Sequence, residues 1–565
     1  MNLRVPVKIV VVGNGMVGSR LVDELLRRDP DNALDITVLG AEPYEPYNRV
    51  LLSDVVAGRT DVAAIGMPLP DARARVLRGV VARRVDRDAR VVVAGDGSHH
   101  PYDHLVLATG SEARVPDIPG LRGRLGDAVP TSSTLPAGVH ALRTLDDARE
   151  IVAATVNTPR AVVVGGGVLG VEAAHGLAGR GLRVTLVHGA GSPMERQLDG
   201  EAGAVLRTGL EAEGIAVRTG VRPSEVLVAG GRAVGVRLDG AVDVPGEVVA
   251  SGLVVLACGT VPETELAAEA GLTVARGVVV GHDLASPDDP RVFAVGDCAQ
   301  PPEGSRGLVA EGWDQARRLA EHLVAVAERG IRESALAEPR PAVAPRQIEH
   351  LRLPQRGNRP SMAVRLGTPL ATRAATDHGV ETRGTDVVKL KAGKLSVVSM
   401  GVCGDGRTPR PGERAVRLSD PGAGRFVEVV VADGVLVGAT CVGDARVGAD
   451  LTAAYTRRSP VPVDPAFLLL TPVAPAAAPA SSPEHMPDDA VVCRCNGVTK
   501  GDITACGATT LEGVARETRA TTGCGGCKDA VCGLVEWISR TTSVAGERDV
   551  ATPQLPTHRA EIAAS

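Results

Sequence analysis

Twice along this chain a short unbroken apolar run leads into a glycine turn and then into apolar positions at helical spacing. The first run is Lys8-Ile-Val-Val-Val12, followed at once by Gly13-Asn14-Gly15-Met16-Val17-Gly18 and then by Leu21, Val22, Leu25 and Leu26. A continuous β-branched run suits a strand buried on both faces of a parallel sheet, and the spacing after the glycines puts the apolar side chains on one helix face. A second strand, Asp35-Ile-Thr-Val-Leu39, comes at the distance expected of a βαβ unit. The pattern recurs as Arg160-Ala-Val-Val-Val164, Gly165-Gly166-Gly167-Val168-Leu169-Gly170, a helix through Glu172 to Leu177, and a strand Arg183-Val-Thr-Leu-Val187. Leu253-Val-Val-Leu-Ala-Cys258-Gly259 and Val292-Phe-Ala-Val-Gly296-Asp297 predict two further short strands that end in glycine.

Beyond Asp386 the pattern changes. Phe426-Val-Glu-Val-Val-Val431 and Leu436-Val-Gly-Ala-Thr440 predict antiparallel strands in a separate α+β domain. Thr471-Pro-Val-Ala-Pro-Ala-Ala-Ala-Pro-Ala-Ser-Ser-Pro-Glu predicts a semi-extended linker, rising about 3.1 Å per residue where it adopts polyproline II. Residues 346–385 carry no readable pattern. The expected class is α/β. A discontinuous dinucleotide domain covers 1–115 and 251–330, a second covers 116–250, and an α+β domain covers 345–470. A Pro/Ala linker at 471–488, a small cysteine domain at 489–540 and a polar, disordered tail at 541–565 complete the chain. At 565 residues several cores are required, since single cores stop growing at about 250–300 residues.

Composition narrows the function classes. The net charge of −5, with no long run of Lys and Arg, gives no field for a phosphate backbone, so nucleic acid is not an expected partner. No segment approaches the roughly 18 consecutive apolar residues of a membrane span, and the N-terminus has no apolar leader, so a cytoplasmic location without membrane contact is expected. In that compartment ten cysteines read as thiols or metal ligands rather than disulfides.

In each glycine loop the first glycine allows the tight turn, the second lets a pyrophosphate approach the backbone, and the third lets helix and strand pack closely. One such loop can be merely a turn that needs glycine, but two, each between an apolar strand and a helix, imply two dinucleotides. One is read as a held flavin and the other as a transient nicotinamide, because hydride transfer is cofactor chemistry. Near the C-terminus, Cys493-Arg-Cys495 and Cys524-Gly-Gly-Cys527 are separated by 28 residues. Four thiolates suit either zinc or an iron–sulfur cluster, and a flavin upstream favours a redox centre. The remaining cysteines have no ligand spacing and read as core or surface thiols.

At this point the chain resembles the pyridine nucleotide-disulfide oxidoreductase superfamily. The likeness is specifically to the FAD-dependent reductase half of assimilatory nitrite reductase large subunits and to nitrate reductase electron-transfer subunits. The matching motifs are Val12 to Gly18, Pro46-Tyr-Asn-Arg49-Val-Leu-Leu-Ser53, Leu107-Ala108-Thr109-Gly110-Ser, Val164 to Glu172, Cys258-Gly259-Thr-Val-Pro262, Val295-Gly296-Asp297-Cys and Gly307-Leu-Val-Ala-Glu-Gly-Trp313. The resemblance implies that Gly13, Asn14, Gly15, Met16, Val17 and Gly18 hold FAD together with Arg49, Ala108, Thr109, Gly110, Gly259, Gly296 and Trp313. It also implies that Asp297 bonds a flavin ribityl hydroxyl, although a bare helix cap would use the same residue. Gly165, Gly167 and Gly170 would hold NAD(P)H.

Four departures stand out. The acid expected for the adenosine ribose is Ala41, with Glu42 beside it to serve instead. The residue after Ser53, a lysine in related ferredoxin reductases, is Asp54. The position that carries an acid in NAD-specific sites is His188, which leaves NADH against NADPH open. Glu172 reads equally as a nicotinamide contact, the one candidate catalytic residue, and as a solvated helix residue. The C-terminal quartet, Cys493, Cys495, Cys524 and Cys527, resembles a bacterioferritin-associated ferredoxin-like [2Fe–2S] domain with a shorter central spacer. The family therefore implies an enzyme, an electron-transfer subunit that delivers electrons from NAD(P)H through FAD and the cluster to a separate nitrate or nitrite reductase catalytic subunit. Nitrite reduction by this polypeptide alone is not expected. A reductase serving an oxygenase or a small ferredoxin, and a non-enzymatic redox sensor or iron-handling module, are the rival expectations.

Overall fold

The computed structural model describes residues 6–548 except 70, 122–133, 240–245, 337–383, 394, 405–406, 408–409, 471–482, 484–485, 494–495 and 524–525. The first apolar run forms the strand Val7–Val12 at the centre of a five-stranded parallel sheet. The order across that sheet is Val292–Ala294, His104–Leu107, Val7–Val12, Leu34–Gly40 and Ala74–Arg78. Ile9, Val10 and Val11 are buried on both faces, as an unbroken β-branched run requires, and the helix Met16–Arg28 buries Leu21, Val22, Leu25 and Leu26 against the sheet. The helix Val309–Leu336 packs alongside it.

The second run forms the strand Arg160–Val164 in another parallel sheet, ordered Ala216–Thr219, Arg183–His188, Arg160–Val164, Leu253–Leu256, Val139–Ala141. In both sheets the strand leading into the glycine turn has neighbours added on opposite sides. Each turn therefore sits at a topological switch point, where open α/β sheets form their ligand crevice.

The boundary expected at 251 falls one strand too early. Leu253–Leu256 pairs in register with Ala161–Val164 inside the second sheet, and the chain returns to the first unit through Thr260–Pro262, which pairs antiparallel with Ser111–Ala113. All four residues of Leu253–Leu256 are buried, and a doubly buried run reads the same whichever parallel sheet receives it.

The third sheet is antiparallel, as expected from the two runs after 425. Its order is Val388–Ala392, Leu395–Gly401, Val435–Val442, Arg425–Ala432, Arg414–Asp420, and the helix Ala445–Arg457 covers part of it. Most of the patternless stretch, all but residues 384 and 385, and most of the Pro/Ala linker lie outside the described residues. The cysteine unit is a short hairpin, Val491–Cys493 with Val498–Thr499, followed by the helices Lys500–Ala505, Leu511–Thr518 and Lys528–Arg548. Thr499 and Asp502 form a reciprocal capping box at the first of these, and Val498, Ile503, Val514, Val531 and Leu534 form a separate core. Residues 541–548, expected to open a polar tail, instead continue the last helix to Arg548, and the remainder of the expected tail lies outside the described residues. Polarity alone cannot distinguish a solvated helix end from a tail. Among the described residues no helix is long and apolar enough to cross a membrane.

Candidate functional site

The two glycine turns obey one steric rule. Gly13 has φ +116°, and a Cβ there would lie 2.1 Å from the Ala108 carbonyl oxygen; a Cβ on Gly18 would lie 1.9 Å from the Gly13 carbonyl oxygen. The second turn repeats this, with Gly165 2.3 Å from the Ala257 oxygen and Gly170 1.8 Å from the Gly165 oxygen. The middle glycines differ: nothing lies within 4 Å of a Cβ on Gly15 or Gly167. These two are the helix N-caps, and neither provides a side-chain hydrogen bond to the first turn. Each helix thus presents unpaired N–H groups and its positive dipole end to open space, which is the cradle a pyrophosphate requires.

Both turns open into one cleft of about 1930 Å³. Glu42, Arg49, Ala108, Thr109, Gly110, Glu172, His188, Gly259, Gly296, Asp297, Cys493 and Cys527 also line it. Gly18, Gly170 and Trp313 do not. Gly18 and Gly170 act through packing, and Trp313 is buried with its Nε1 donating to the Met16 carbonyl at 3.0 Å, which pins the start of the first helix.

Glu42, beside Ala41, lines the cleft. It is held by an ion pair with Arg49 and accepts from the Tyr47 hydroxyl at 2.8 Å. Asp297, at the cleft wall, accepts from Ser111 Oγ at 2.7 Å and from Arg143 Nη2 at 2.8 Å.

His188 accepts the Gly166 N–H on Nδ1 at 3.0 Å, which leaves Nε2 to donate to Glu195 at 2.8 Å. That bond holds the Glu195 carboxyl below its ordinary range. A carboxylate therefore stands one side chain beyond the position where the sequence has a histidine. Glu195→Gln removes a negative charge from this rim, and the ratio of kcat/KM for NADPH over NADH is expected to rise, a change read from steady-state rates with each nucleotide.

Glu172 is buried, only 3% exposed, which excludes a solvated helix residue. It accepts from Ser53 Oγ at 2.6 Å and from the Lys391 backbone N–H at 2.9 Å, with Lys391 Nζ at 3.5 Å. Lys391 Nζ also donates to Ser53 Oγ at 3.1 Å, to Asp54 at 3.2 Å and to the Val50 carbonyl. Burial pushes the Glu172 carboxyl up, and the Lys391 charge opposes it.

Of the quartet, Cys493 and Cys527 are described, while Cys495 and Cys524 lie outside the described residues. The Cys493 thiol is pushed down to about 6, first by its hydrogen bond with Cys527 and then by donors at Thr521 and Asn496. Burial pushes Cys258, Cys403 and Cys441 the opposite way, to about 11 each. Thiolates are what a soft metal centre binds, so the lowered Cys493 thiol fits an iron–sulfur cluster, whereas the raised thiols of Cys258 at the cleft wall, partly buried Cys403 and buried Cys441 do not.

Residues 7–328, more than half of the chain, match the family model described as pyridine nucleotide-disulphide oxidoreductase. The chain belongs to that family. Residues 491–537 of this oxidoreductase match the BFD-like [2Fe-2S] binding domain. The nitrite reductase [NAD(P)H] of Bacillus subtilis is 30% identical over 532 residues, covering 93% of this chain and 57% of that protein. The assimilatory nitrate reductase electron transfer subunit of the same organism is 28% identical over 544 residues, covering 94% and 60%. The chain thus spans little more than half the length of these curated relatives. Rhodocoxin reductase of Rhodococcus erythropolis is 34% identical over 326 residues, covering 56% of this chain and 71% of that protein. The crystal structure of the putidaredoxin reductase–putidaredoxin complex shares the fold at a TM-score of 0.61 and 23% identity, covering 83% of this chain and 96% of the other. The protein is an NAD(P)H-dependent FAD oxidoreductase with a [2Fe–2S] domain.

Lys391 is the residue that reading the oxidoreductase's sequence missed. It lies on Val388–Ala392 in the antiparallel domain, far along the chain from Ser53 and Asp54. The signal was Asp54 itself. An acid where related reductases have a lysine sets Asp54 beside the buried Glu172; Arg59 pairs with Asp54 from five residues on, and the cation that reaches Glu172 comes from another element, Lys391.

Proposed function

We propose that this oxidoreductase is the electron-delivering component for a separate nitrate reductase catalytic subunit in nitrogen assimilation. The observation that carries the reading is the shared cleft: both glycine turns and the two described ligand cysteines open into one space. In this reading the first turn, Gly13 to Gly18, holds the FAD pyrophosphate, Glu42 takes its adenosine ribose, and Asp297, aimed by Ser111 and Arg143, takes the flavin side chain. The second turn holds NAD(P)H, with Glu195 and His188 at its adenosine end. Cys493, Cys495, Cys524 and Cys527 ligate the cluster. When bound, the nicotinamide supplies a hydride, and the flavin and the cluster divide that electron pair into single electrons.

The chain's own residues do the positioning. Lys391 and Glu172 meet through Ser53, and both line the cleft into which the two turns open. Supply of a separate ferredoxin or rubredoxin is the second reading, favoured by the likeness to rhodocoxin reductase. A [2Fe–2S] domain within the same chain makes a separate ferredoxin unnecessary, which is why nitrate reductase is preferred.

Anaerobic reduction with NADH or NADPH, following flavin bleaching and the cluster EPR signal, tests the first steps. Adding a purified nitrate reductase catalytic subunit tests the last. NAD(P)H-dependent nitrate loss only in the reconstituted mixture is expected. Conversion of nitrite to ammonia by this chain alone would overturn the proposal.

A further inference from the structure

The [2Fe–2S] unit is docked on the first α/β unit through buried polar contacts. Arg519, only 2% exposed, places Nε 2.7 Å from Asp23 Oδ2 on the helix Met16–Arg28. Asn48, equally buried, donates from Nδ2 to the Thr522 carbonyl at 2.8 Å and to the Gly523 carbonyl, on the loop that leads into the second cysteine pair. From the same helix, Arg20 donates through Nη1 to Asn496 Oδ1 at 2.8 Å. Asn496 then turns its Nδ2 to the Cys493 sulfur at 3.6 Å and to the Arg519 carbonyl at 2.5 Å. A cation on one unit thus reaches a ligand sulfur on the other through a single amide.

The charge around this contact is not balanced within the interface. Arg20, Arg27, Arg28 and Arg519 share Asp23, Glu24 and, at the exposed end, Glu321. Among the described residues Arg20 Nε and Arg519 Nη1 are buried with no hydrogen-bond acceptor. Burial pushes the Arg20 guanidinium down, the cost of holding a charge out of water. An anion at the cysteines offsets that cost, and each electron added to a thiolate-ligated cluster makes it more negative.

We propose that Arg20 is a tuning residue for the cluster. By polarising Asn496 against the Cys493 sulfur, it raises the cluster's reduction potential when the [2Fe–2S] unit is docked, so that the cluster accepts an electron most readily where the cleft also holds the flavin. The step is one electron in, from a reduced flavin that took its pair as hydride from NAD(P)H. The inference rests on the electron-transfer reading given above.

The test is a potentiometric titration of the full-length holoprotein, with the cluster read by EPR and FAD by absorbance. Arg20→Gln is expected to shift the one-electron reduction equilibrium of the cluster about tenfold toward the oxidised form, a fall of about 59 mV, with the flavin potential unchanged. Arg20→Lys should recover part of the shift. Asn496→Leu should lower the potential too, and adding Arg20→Gln to it should then change little. An unchanged cluster potential in Arg20→Gln overturns the proposal, as does a shift that persists undiminished in the Asn496→Leu background. If Arg20→Gln releases FAD, Asn496→Leu alone decides, because it leaves the first α/β unit untouched. Absence of a cluster signal in the wild type would overturn the electron-transfer reading as well, so the two failures are distinguishable.

Discussion

Cys527→Ser is expected to abolish the [2Fe–2S] EPR signal and to cut electron delivery to an external acceptor protein by about a hundredfold or more, while FAD remains bound and NAD(P)H still bleaches it. The magnitude follows from a lower bound: losing an outer partner of a metal ligand already costs about 10–100-fold in affinity or activity, and here a ligand itself goes. Serine offers a hard oxygen, protonated at neutral pH, where iron and sulfide favour a soft thiolate. Flavin retention is expected because the cysteine unit has its own core, built on Val498, Ile503, Val514, Val531 and Leu534, and contributes no strand to either parallel sheet. Absorbance gives the flavin content and EPR the cluster. A surviving EPR signal in Cys527→Ser would remove Cys527 from the ligand set.

What could be read from the chain was local. Each glycine turn is a strand, a turn and a helix within about 30 residues, and its constraints come from atoms a few positions apart, as with Gly13 and Gly18. The strands Arg425–Ala432 and Val435–Val442 were legible for the same reason, as paired apolar runs around a short turn. The neighbouring strand Arg414–Asp420 was not, because it is an edge strand with mostly exposed side chains and little apolar pattern to show. Leu253–Leu256 was seen as a strand but assigned to the wrong sheet, since its partners are chosen by topology rather than by its own residues. The site followed the same division. The glycine turns and the cysteine spacing are local patterns, and Asp297 entered only through the family resemblance, whereas Lys391, Asn48 against the Thr522 carbonyl, and Arg20 against Asn496 exist only as contacts between segments hundreds of residues apart. Glu195 was masked by a shift of seven positions along the chain, with His188 occupying the expected place and passing its hydrogen bond on.

Lys391→Ala carries the other large expected effect, and it couples catalysis to stability. The lysine lines the cleft shared by the two glycine turns and ties Val50, Ser53, Asp54 and Glu172 together, so its loss loosens the positions from which hydride transfer takes place; misplacement by about 1 Å costs on the order of a hundredfold in rate. Stopped-flow bleaching of FAD by NAD(P)H should slow accordingly, while dithionite still bleaches it. The second consequence is electrostatic. Without Lys391, Glu172 keeps Asp54 as a like-charged neighbour and loses its largest stabilising charge, so its carboxyl, already raised by burial, is raised further. A carboxyl raised on folding binds more protons folded than unfolded, so stability falls as pH climbs from the unfolded value toward the folded one. Lys391→Ala extends that window upward. The variant should therefore lie closer to wild type at pH 5 than at pH 8, with a loss at pH 8 of up to about 3 kcal/mol, the lower end for breaking a buried pair because Lys391 is partly exposed. Adding Glu172→Gln removes the titrating group, and should restore much of the stability at pH 8 while leaving flavin bleaching slow. Urea melts at the two pH values measure the first effect and stopped flow the second. Equal destabilisation of Lys391→Ala at pH 5 and pH 8 would mean that Lys391 and Glu172 are not coupled, and unaltered bleaching would remove Lys391 from the wall of the hydride-transfer site.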